Sequence, residues 1–331
     1  MKRVFLLAAV IALTSTAARA EVSELKVAQQ YGVSYLPLLV MQDQKLIEKH
    51  AKEAGVKDLK VSWAKFAGGN VMNDGLLSGS LDVASGGVGP LVKLWAKTRG
   101  NYDVRAIAAL NYMPLYLNTR DPAVKSIKDF TSKDKIALPA VKVSIQAVTL
   151  QMAAQQAFGP GQQGKLDPLT VSMSHPDGMT AMLSGKSEVT AHFTSPPFQY
   201  QELADPQVHT VLSSYDVLGG PATFNLVWTT AKFRNENPKV YAAFVKALNE
   251  AIAMINKDKK WASELYLRTS KNKSSVEDIL KILEDPKVAF TTTPQNVMKY
   301  VDFMYKTKSI EVMPHSWKDL FFPEVHQQPG S

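Results

Sequence analysis

The chain contains no cysteine, and several other common features are also missing. The lack of cysteine excludes disulfide bonds, thiolate nucleophiles and cysteine-ligated metal sites. Beyond residue 20 the sequence has no run of about 20 consecutive apolar residues, so no transmembrane helix is expected there. Basic and acidic residues are interleaved, whereas nucleic-acid-binding proteins cluster their basic residues on one element. Stability must therefore come from an apolar core, and nucleic acid is not an expected partner.

Common catalytic motifs are missing as well. The sequence has no G-x-S-x-G elbow, no P-loop and no H-E-x-x-H pattern. Its six histidines are scattered without the spacing of metal ligands. We therefore expect no catalytic residues, no metal site and no cofactor.

The first twenty residues are typical of a secretory signal. Lys2 and Arg3 precede an apolar run from Val4 to Leu13, and the segment ends in Ala18-Arg19-Ala20. The run is about half as long as a membrane-spanning helix, and small residues flank the expected cleavage point after Ala20. Because three of the 38 basic residues belong to this segment, the remaining chain carries 35 basic residues against 30 acidic ones. The pattern predicts export to the periplasm and removal of residues 1–20.

Strands and helices alternate from residue 25 onwards. Alternating apolar residues predict strands, and apolar residues three or four positions apart predict helices. The elements predicted in this part are strand 25–28, helix 36–54, strand 59–63, helix 71–77, strand 82–85 and helix 92–96. Such alternation is typical of α/β units built on a parallel sheet.

One short segment occurs twice. Leu77 to Ala84 matches Leu183 to Thr190 without a gap, and each copy joins a predicted helix to a predicted strand. A strand at 135–138 and a helix at 144–158 precede the second copy, as a strand and helix precede the first. The repeat predicts an α/β protein with two lobes, each a mostly parallel sheet flanked by helices.

The chain is predicted to cross between the lobes twice. After a strand at 225–228 the sequence is helical, with helix starts at Asn237-Pro238, at a capping box of Ser274 and Glu277, and at Thr293-Pro294. These helices have no strands of their own, so we expect them to pack on lobe one. Lobe one then comprises residues 21–114 and 225–331, and lobe two comprises residues 115–224. The crossings near 113–118 and 221–228 would form a hinge.

Four loops follow predicted strands, at the place where open α/β sheets bind ligands. They are 29–35, 68–70 and 85–87 in lobe one and 141–146 in lobe two. The helices that follow direct free N–H groups and partial positive charge into the crevice, so an anion needs no arginine there. Glycine allows close approach, serine supplies hydroxyl groups, and tyrosine supplies a wall with a polar tip. The candidate ligand-binding residues are Gln30, Tyr31, Tyr35, Gly69, Asn70, Ser85, Gly86, Gly87 and Ser144, with Lys142, His192 and Asn225 as additional candidates.

Several candidates also have an ordinary structural interpretation. A Gly-Gly pair is most often a turn, Ser144 suits a helix cap as well as a ligand contact, and Lys142 is typical of a solvated position. His192 follows a predicted strand and suits a ligand donor, a titrating switch or a hydrogen-bonded structural histidine equally well. The sequence leaves these alternatives open.

Taken together, these segments resemble the nitrate, sulfonate and taurine (NitT/TauT) family of ABC-transporter substrate-binding proteins, which also includes binders of thiamine-pyrimidine precursors. The resemblance covers nearly all of the exported chain and rests on the order of segments 25–41, 77–87, 225–244 and 316–322. It implies a two-lobed type II periplasmic-binding-protein fold with the ligand between the lobes. It also implies delivery of the ligand to an inner-membrane ABC permease driven by a cytoplasmic ATPase. We expect the protein to be a monomer. The family's ligand loops fall on Gln30, Tyr31, Gly69, Ser85, Gly86, Ser144 and residues 192–195, which adds Thr194 to the candidates.

The second lobe departs from the family pattern. Relatives often carry an acidic residue or tryptophan where this chain has Ala191-His192-Phe193-Thr194. The candidate side chains, which include no arginine, suit a sulfonate, nitrate, a small organic acid or a neutral heterocycle. One alternative is an enzyme similar to pyrimidine-precursor synthases of the same superfamily, but those use a cysteine-rich iron-binding run that this chain lacks. Another is a periplasmic ligand sensor that reports to a receptor, which the sequence does not separate from a transport protein.

Overall fold

The structure of the protein is a computed structural model that describes residues 21–331. The predicted signal segment and its cleavage after Ala20 lie outside the described residues. None of the helices within 21–331 is long and apolar enough to cross a membrane.

Strands and helices alternate along most of the described chain. The strands are β1 (Glu24–Gln29), β2 (Lys60–Lys65), β3 (Ala84–Gly87), β4 (Arg105–Ala109), β5 (Asn111–Tyr112), β6 (Tyr116–Thr119), β7 (Lys135–Leu138), β8 (Thr170–Ser172), β9 (Val189–Phe193), β10 (His209–Ser213), β11 (Asn225–Thr229) and β12 (Ala289–Phe290). The helices are α1 (Leu36–Asp43), α2 (Leu46–Glu53), α3 (Gly69–Ser78), α4 (Val88–Thr98), α5 (Ile145–Phe158), α6 (His175–Ser184), α7 (Phe198–Leu203), α8 (Ser214–Leu218), α9 (Ala231–Glu236), α10 (Pro238–Lys257), α11 (Lys259–Ser270), α12 (Val276–Glu284) and α13 (Val297–Lys306).

The first group of strands comes from the two ends of the described chain. β1 pairs with β2 in parallel, and a parallel bridge from Val27 to Val83 joins β1 to the segment that leads into β3. β11 lies between β3 and β4 and is antiparallel to both. A short antiparallel pair of β5 and β12 completes this group.

The second group is one five-stranded sheet, with the order β10-β6-β9-β7-β8. β7 pairs in parallel with β8 and β9, whereas β6 is antiparallel to β9 and β10. All five strands come from residues 116–213.

The predicted α/β fold class is confirmed, but the sheets are less parallel than expected. β11 is antiparallel to both of its neighbours in the first group, and β6 is antiparallel to both of its neighbours in the second. Each of them begins just after the chain has passed from the other group. Parallel pairing needs a crossover within one sheet, and these two strands enter from outside it.

The repeated segment has the same structure in both copies. α3 and α6 each end at a serine, and a glycine in the left-handed conformation follows, Gly79 with φ 78° and Gly185 with φ 63°. Each glycine N–H donates to the carbonyl oxygen three residues earlier, and the next strand, β3 or β9, begins shortly afterwards. Glycine adopts this backbone conformation at the least cost, so it ends both helices. The predicted helix-to-strand repeat is confirmed.

The C-terminal helices α10 and α11 pack on α1, whereas α13 contacts both α4 and α5. α10 lies against α1 and α2 and buries apolar side chains three or four positions apart, including Val240, Phe244 and Leu248. Burial of each of these side chains is worth about 1.5–3 kcal/mol. Asn237 precedes this helix as predicted, but its Oδ1 accepts a hydrogen bond from the N–H of Val22 at 2.8 Å instead of capping the helix.

Two predicted helix starts are wrong. The capping box consists of Ser275 and Asp278, one residue after the predicted pair, because Ser274 instead accepts a hydrogen bond from Gln201. The last helix begins at Val297 and not at 293–294. Hydrogen bonds between residue 295 and Thr223 hold the earlier segment in a loop.

The predicted helix 36–54 is two helices, α1 and α2. Lys45 separates them, with a left-handed φ of 50°.

Candidate functional site

Six of the predicted residues lie together near the ends of β1, β3 and β11. We call them the amide cluster: Gln30, Tyr35, Gly69, Ser85, Gly86 and Asn225. The Nε2 atom of Gln30 lies 3.4 Å from the carbonyl oxygen of Ser85. A Cβ atom on Gly86 would lie 3.1 Å from the same Nε2 and 3.7 Å from the Cα of Gly69. Residues from three loops of the predicted site therefore meet at one place.

Tyr35 occupies the buried side of the amide cluster. Its side chain neighbours those of Asn225 and Gln30. Burial raises the pKa of the Tyr35 hydroxyl, although these two neighbours act to lower it. The Tyr35 hydroxyl is therefore uncharged and can act only as a hydrogen-bonding group.

Residues 85–87 form strand β3, whereas the sequence predicted a loop. The two glycines are needed for close packing in this strand. A Cβ on Gly86 would lie 3.0 Å from Cη2 of Trp228, and a Cβ on Gly87 would lie 2.6 Å from the Cβ of Ile145. The two glycines thus permit close approach, but the groups that approach them are side chains of the protein, Trp228 and Ile145.

The starts of α4 and α5 meet across the two groups of strands. Ser144 caps α5, since its Oγ accepts a hydrogen bond from the N–H of Ala147 at 3.2 Å. A Cβ on Gly89, in the first turn of α4, would lie 2.7 Å from the carbonyl oxygen of Val143. Lys142 is exposed, and its carbonyl oxygen accepts a hydrogen bond from the Nζ of Lys93 at 3.2 Å. Ser144 is therefore a helix cap and Lys142 an exposed lysine, which are the ordinary structural interpretations of these two residues.

His192 and Thr194 belong to a buried chain of polar side chains. His192 lies inside β9 and not after it, and it is fully buried. Its Nδ1 atom is 2.6 Å from Oε1 of Glu202, and its Nε2 atom is 3.1 Å from Nδ1 of His175. The Oγ1 of Thr194 is 3.2 Å from the same His175 atom. We call His175, His192 and Glu202, with their amide neighbours, the histidine chain.

Amide side chains close both ends of the histidine chain. Nδ2 of Asn118 donates to Oε2 of Glu202 at 2.9 Å, and Nε2 of Gln146 lies 3.3 Å from Nε2 of His175. A carboxylate only accepts, so Nδ1 of His192 donates to Glu202. Nε2 of His192 is hydrogen-bonded to Nδ1 of His175, whose own Nε2 is hydrogen-bonded to Gln146. Every ring nitrogen is thus satisfied within the protein.

His175 was not among the predicted site residues. The segment 175–178 is the first turn of α6, where Ser174 accepts a hydrogen bond from the N–H of Asp177. Burial, with a smaller contribution from His192, lowers the pKa of His175 well below its ordinary value. His175 is therefore neutral at physiological pH.

A cavity of about 350 Å³ opens between the two groups of strands. We call it the Tyr31 cavity. Tyr31 and Lys65 line it from the first group, Phe198 and Gln201 from the segment after β9, and residues 270–273 from the connection after α11. Its size falls in the range of small-molecule sites in proteins.

A second cavity, of about 710 Å³, lies beside the start of α3. Gly68 and Asn70 line it on one side, and Pro139, Ser174 and Asp177 line it on the other. Asn70 is exposed here and separate from the amide cluster. The predicted residues therefore divide between the amide cluster, two cavities, the buried histidine chain and the surface.

Three fully buried oxygen atoms near the amide cluster have no hydrogen-bond partner in the protein. They are Oγ of Ser195, Oδ1 of Asn111 and Oδ1 of Asn225. Asn111 and Asn225 are both linked to Ser34 through their Nδ2 atoms, and Ser195 lies close to Gly32, which lines the Tyr31 cavity. Buried polar atoms in proteins are almost always satisfied, so these three oxygens are exceptions, and none of the three residues lines the Tyr31 cavity.

Sequence reasoning missed the residues that give the Tyr31 cavity its character. Lys65 is the last residue of β2, so the strand-end rule that selected the loops applies to it too. Gln201 and Lys273 carry no comparable signal. Within residues 21–331 no group of histidine, aspartate and glutamate side chains is arranged to hold a metal ion.

Solved structures show what this fold is similar to. The alkanesulfonate-binding protein SsuA from Xanthomonas axonopodis pv. citri, bound to MOPS, has a TM-score of 0.68 at 14% identity over 88% of this chain and 95% of that one. The periplasmic aliphatic sulphonate-binding protein SsuA from Escherichia coli has a TM-score of 0.64 at 18% identity over 91% and 92%. The periplasmic nitrate-binding protein NrtA from Synechocystis PCC 6803 has a TM-score of 0.59 at 16% identity over 79% and 70%. These similarities establish the two-lobed periplasmic-binding-protein fold.

A comparison with curated proteins gave no match. The model of the NMT1-like family, in contrast, matches residues 18–266, which is most of the chain and includes β1, the amide cluster and the histidine chain. The chain therefore belongs to the NMT1-like family.

Proposed function

We propose that this protein is the solute-binding component of an ABC importer. It captures a small organic or anionic molecule between two lobes and delivers it to a membrane permease with a cytoplasmic ATPase. The observation that carries this proposal is the Tyr31 cavity, because residues from both groups of strands line it. The similarity in fold to sulfonate-binding and nitrate-binding proteins supports the same class of function.

The proposal divides the chain into lobe one, residues 21–114 and 225–331, and lobe two, residues 115–224. The five-stranded sheet supports this division, since all its strands come from residues 116–213. The chain passes between the groups at 113–115 and again at 219–224. The second passage starts with Gly219 and Gly220, at φ 71° and 137°, where glycine tolerates a change of backbone direction best. These two passages would act as the hinge.

Ligand binding would stabilise the closed arrangement of the lobes. Several hydrogen bonds already join them, among them the N–H of Val33 to the carbonyl oxygen of Pro196 at 3.1 Å, Oγ1 of Thr149 to the hydroxyl of Tyr300 at 3.1 Å, and Nε2 of Gln201 to residues 272–274. A ligand that touches both lobes binds the closed state more tightly than the open state and shifts the equilibrium towards it. A ligand that contacts only one lobe would leave the equilibrium between the open and closed states unchanged.

The protein would act in the periplasm as a monomer, after removal of residues 1–20, and would release its ligand unchanged. We assign no catalytic residue. The two histidines nearest the site, His175 and His192, are buried and bonded to each other and to Glu202, which leaves neither free for proton transfer to a ligand. A pyrimidine-precursor synthase activity would also need the cysteines that the chain lacks.

A ligand screen with two measurements tests this function. Purified protein is mixed with sulfonates, nitrate, aromatic acids and pyrimidines, and its thermal unfolding and its radius of gyration are recorded. A true ligand at a hundredfold excess over its Kd raises stability by about 2.7 kcal/mol. It should also reduce the radius of gyration and be recovered intact. Conversion of the ligand, or binding without compaction, would contradict the proposal.

A further inference from the structure

The Tyr31 cavity is positively charged. Three lysines line it, Lys65, Lys271 and Lys273, and no aspartate or glutamate is among its lining residues. Across residues 21–331 none of these three lysines forms an ion pair with a carboxylate. The cavity therefore attracts anions.

Lys65 is the lysine that the site holds in a defined place. It ends β2, and its Nζ atom lies 5.2 Å from the centre of the Tyr31 ring. Lys65 is an exposed residue, but partial burial of its ammonium group lowers the pKa of that group, and no carboxylate acts on it in the opposite direction. A cation that has lost part of its hydration without gaining a counter-charge binds an anion with less further desolvation.

Three aromatic residues, Tyr31, Phe198 and Tyr266, also line the cavity, beside polar and aliphatic residues. Phe198 is almost fully buried and stacks on His175, with 5.7 Å between the ring centres, so its ring has a fixed orientation. Tyr266 is also buried and lines the cavity, and the Tyr31 ring lies beneath Lys65. Flat aromatic walls favour a flat apolar ligand body, since rings gain most from packing on rings.

We propose that the ligand is an aromatic molecule with one carboxylate or sulfonate group. The anionic group pairs with Lys65, and the ring packs between Tyr31 and Phe198. Nitrate would leave the aromatic walls unused, and a neutral heterocycle would leave Lys65 without a counter-charge. This inference rests on the proposed solute-binding function and narrows its ligand class.

Calorimetric titration of the purified protein tests the ligand class. The probes are benzoate and benzenesulfonate, their neutral analogue benzamide, the aliphatic anion ethanesulfonate, and nitrate. We expect at least one of the two aromatic anions to bind about ten times more tightly than benzamide, ethanesulfonate and nitrate, because only it satisfies both the lysine and the rings.

Substitutions assign the binding to Lys65. Lys65→Met keeps the aliphatic stem and removes the charge, so it should abolish the preference for the aromatic anion over benzamide. Lys65→Arg should keep that preference. Lys60→Met is the matched control, because Lys60 lies on the same strand, is exposed and does not line the cavity. The control should bind the aromatic anion as the unaltered protein does.

The outcomes separate the inference from the function on which it rests. If ethanesulfonate, nitrate or benzamide binds as tightly as the aromatic anions, or if Lys65→Met keeps the preference, the ligand class is wrong and the solute-binding function stands. If neither these probes nor the sulfonates, acids and pyrimidines of the wider screen bind, both are wrong.

Discussion

The Tyr31 cavity lies between the two groups of strands, whereas the histidine chain lies within the second group, and the titratable groups of the two regions differ in their hydrogen bonds. In the histidine chain, His192 and Glu202 are fully buried and each is bonded to protein partners on both sides. In the cavity, the face of the Tyr31 ring is the only partner of the Lys65 ammonium group among residues 21–331. A saturated polar group stabilises the fold, whereas an unsaturated one is free to bind a ligand. His192, a candidate from the sequence, therefore belongs to the scaffold, and Lys65, which the sequence reasoning passed over, belongs to the candidate site.

The largest expected effect is a loss of stability after a substitution in the histidine chain. Glu202→Ala leaves His192 and Asn118 buried without their acceptor. Removing one member of such a buried pair costs about 3–5 kcal/mol. Urea unfolding should show a loss of that size in the free energy of unfolding. A loss below about 1 kcal/mol would show that the chain is not a structural element.

A change of pH should act on the same chain. His175 has a lower pKa in the folded chain than the ordinary 6.5, so the folded state binds fewer protons than the unfolded state. Its contribution to stability is complete above about pH 6.5 and is lost as the pH falls. The free energy of unfolding should drop by about 1 kcal/mol between pH 6.5 and 5.5 from this group. His175→Gln should flatten that slope, and an unchanged slope would contradict the assignment of a neutral His175.

Gln201 lies between the two regions and joins the lobes. Its Nε2 donates to Oδ1 of Asn272 and to Oγ of Ser274, both at 2.9 Å. Gln201→Ala should destabilise the closed state by about 1 kcal/mol and weaken ligand binding about fivefold, as measured by calorimetry. Gln207→Ala removes a hydrogen bond to Arg120 within lobe two and serves as the control. If the two substitutions weaken ligand binding equally, Gln201 does not stabilise the closed state.

The smallest expected effect is the change in stability after substitution of Lys65 in the Tyr31 cavity. Lys65→Met should change the free energy of unfolding by less than about 0.5 kcal/mol, because Lys65 has no hydrogen bond or ion pair among the described residues. Thermal unfolding in the absence of ligand measures this. A loss comparable to that of Glu202→Ala would remove the distinction between the two regions.

Local patterns in the sequence were sufficient to predict the architecture. Apolar spacing located β1, β2, β7 and α5, and the repeated helix-glycine-strand segment revealed two similar halves. The cap at Ser144 and the close approach at Gly86 follow from properties of serine and glycine that do not depend on distant residues. Such features are encoded within a few positions of the chain.

The candidate site was only partly predictable because its walls come from distant parts of the chain. Gln30 and Tyr31 were found from the strand-end rule, but residues 270–273 reach the cavity only through the packing of α10 and α11 on α1. Likewise, His192 was placed after a strand, and only pairing with β6 and β7 shows that it is inside one. Tertiary contacts decide whether a polar residue is satisfied, and sequence spacing does not record them.

A crystal structure of the protein with benzoate or benzenesulfonate, whichever binds more tightly, tests the central claim most directly. The account predicts an oxygen atom of the anionic group within hydrogen-bond distance of Nζ of Lys65, and a ring in contact with residues of both lobes, Tyr31 and Phe198. A ligand held by one lobe alone, or bound away from Lys65, would contradict it.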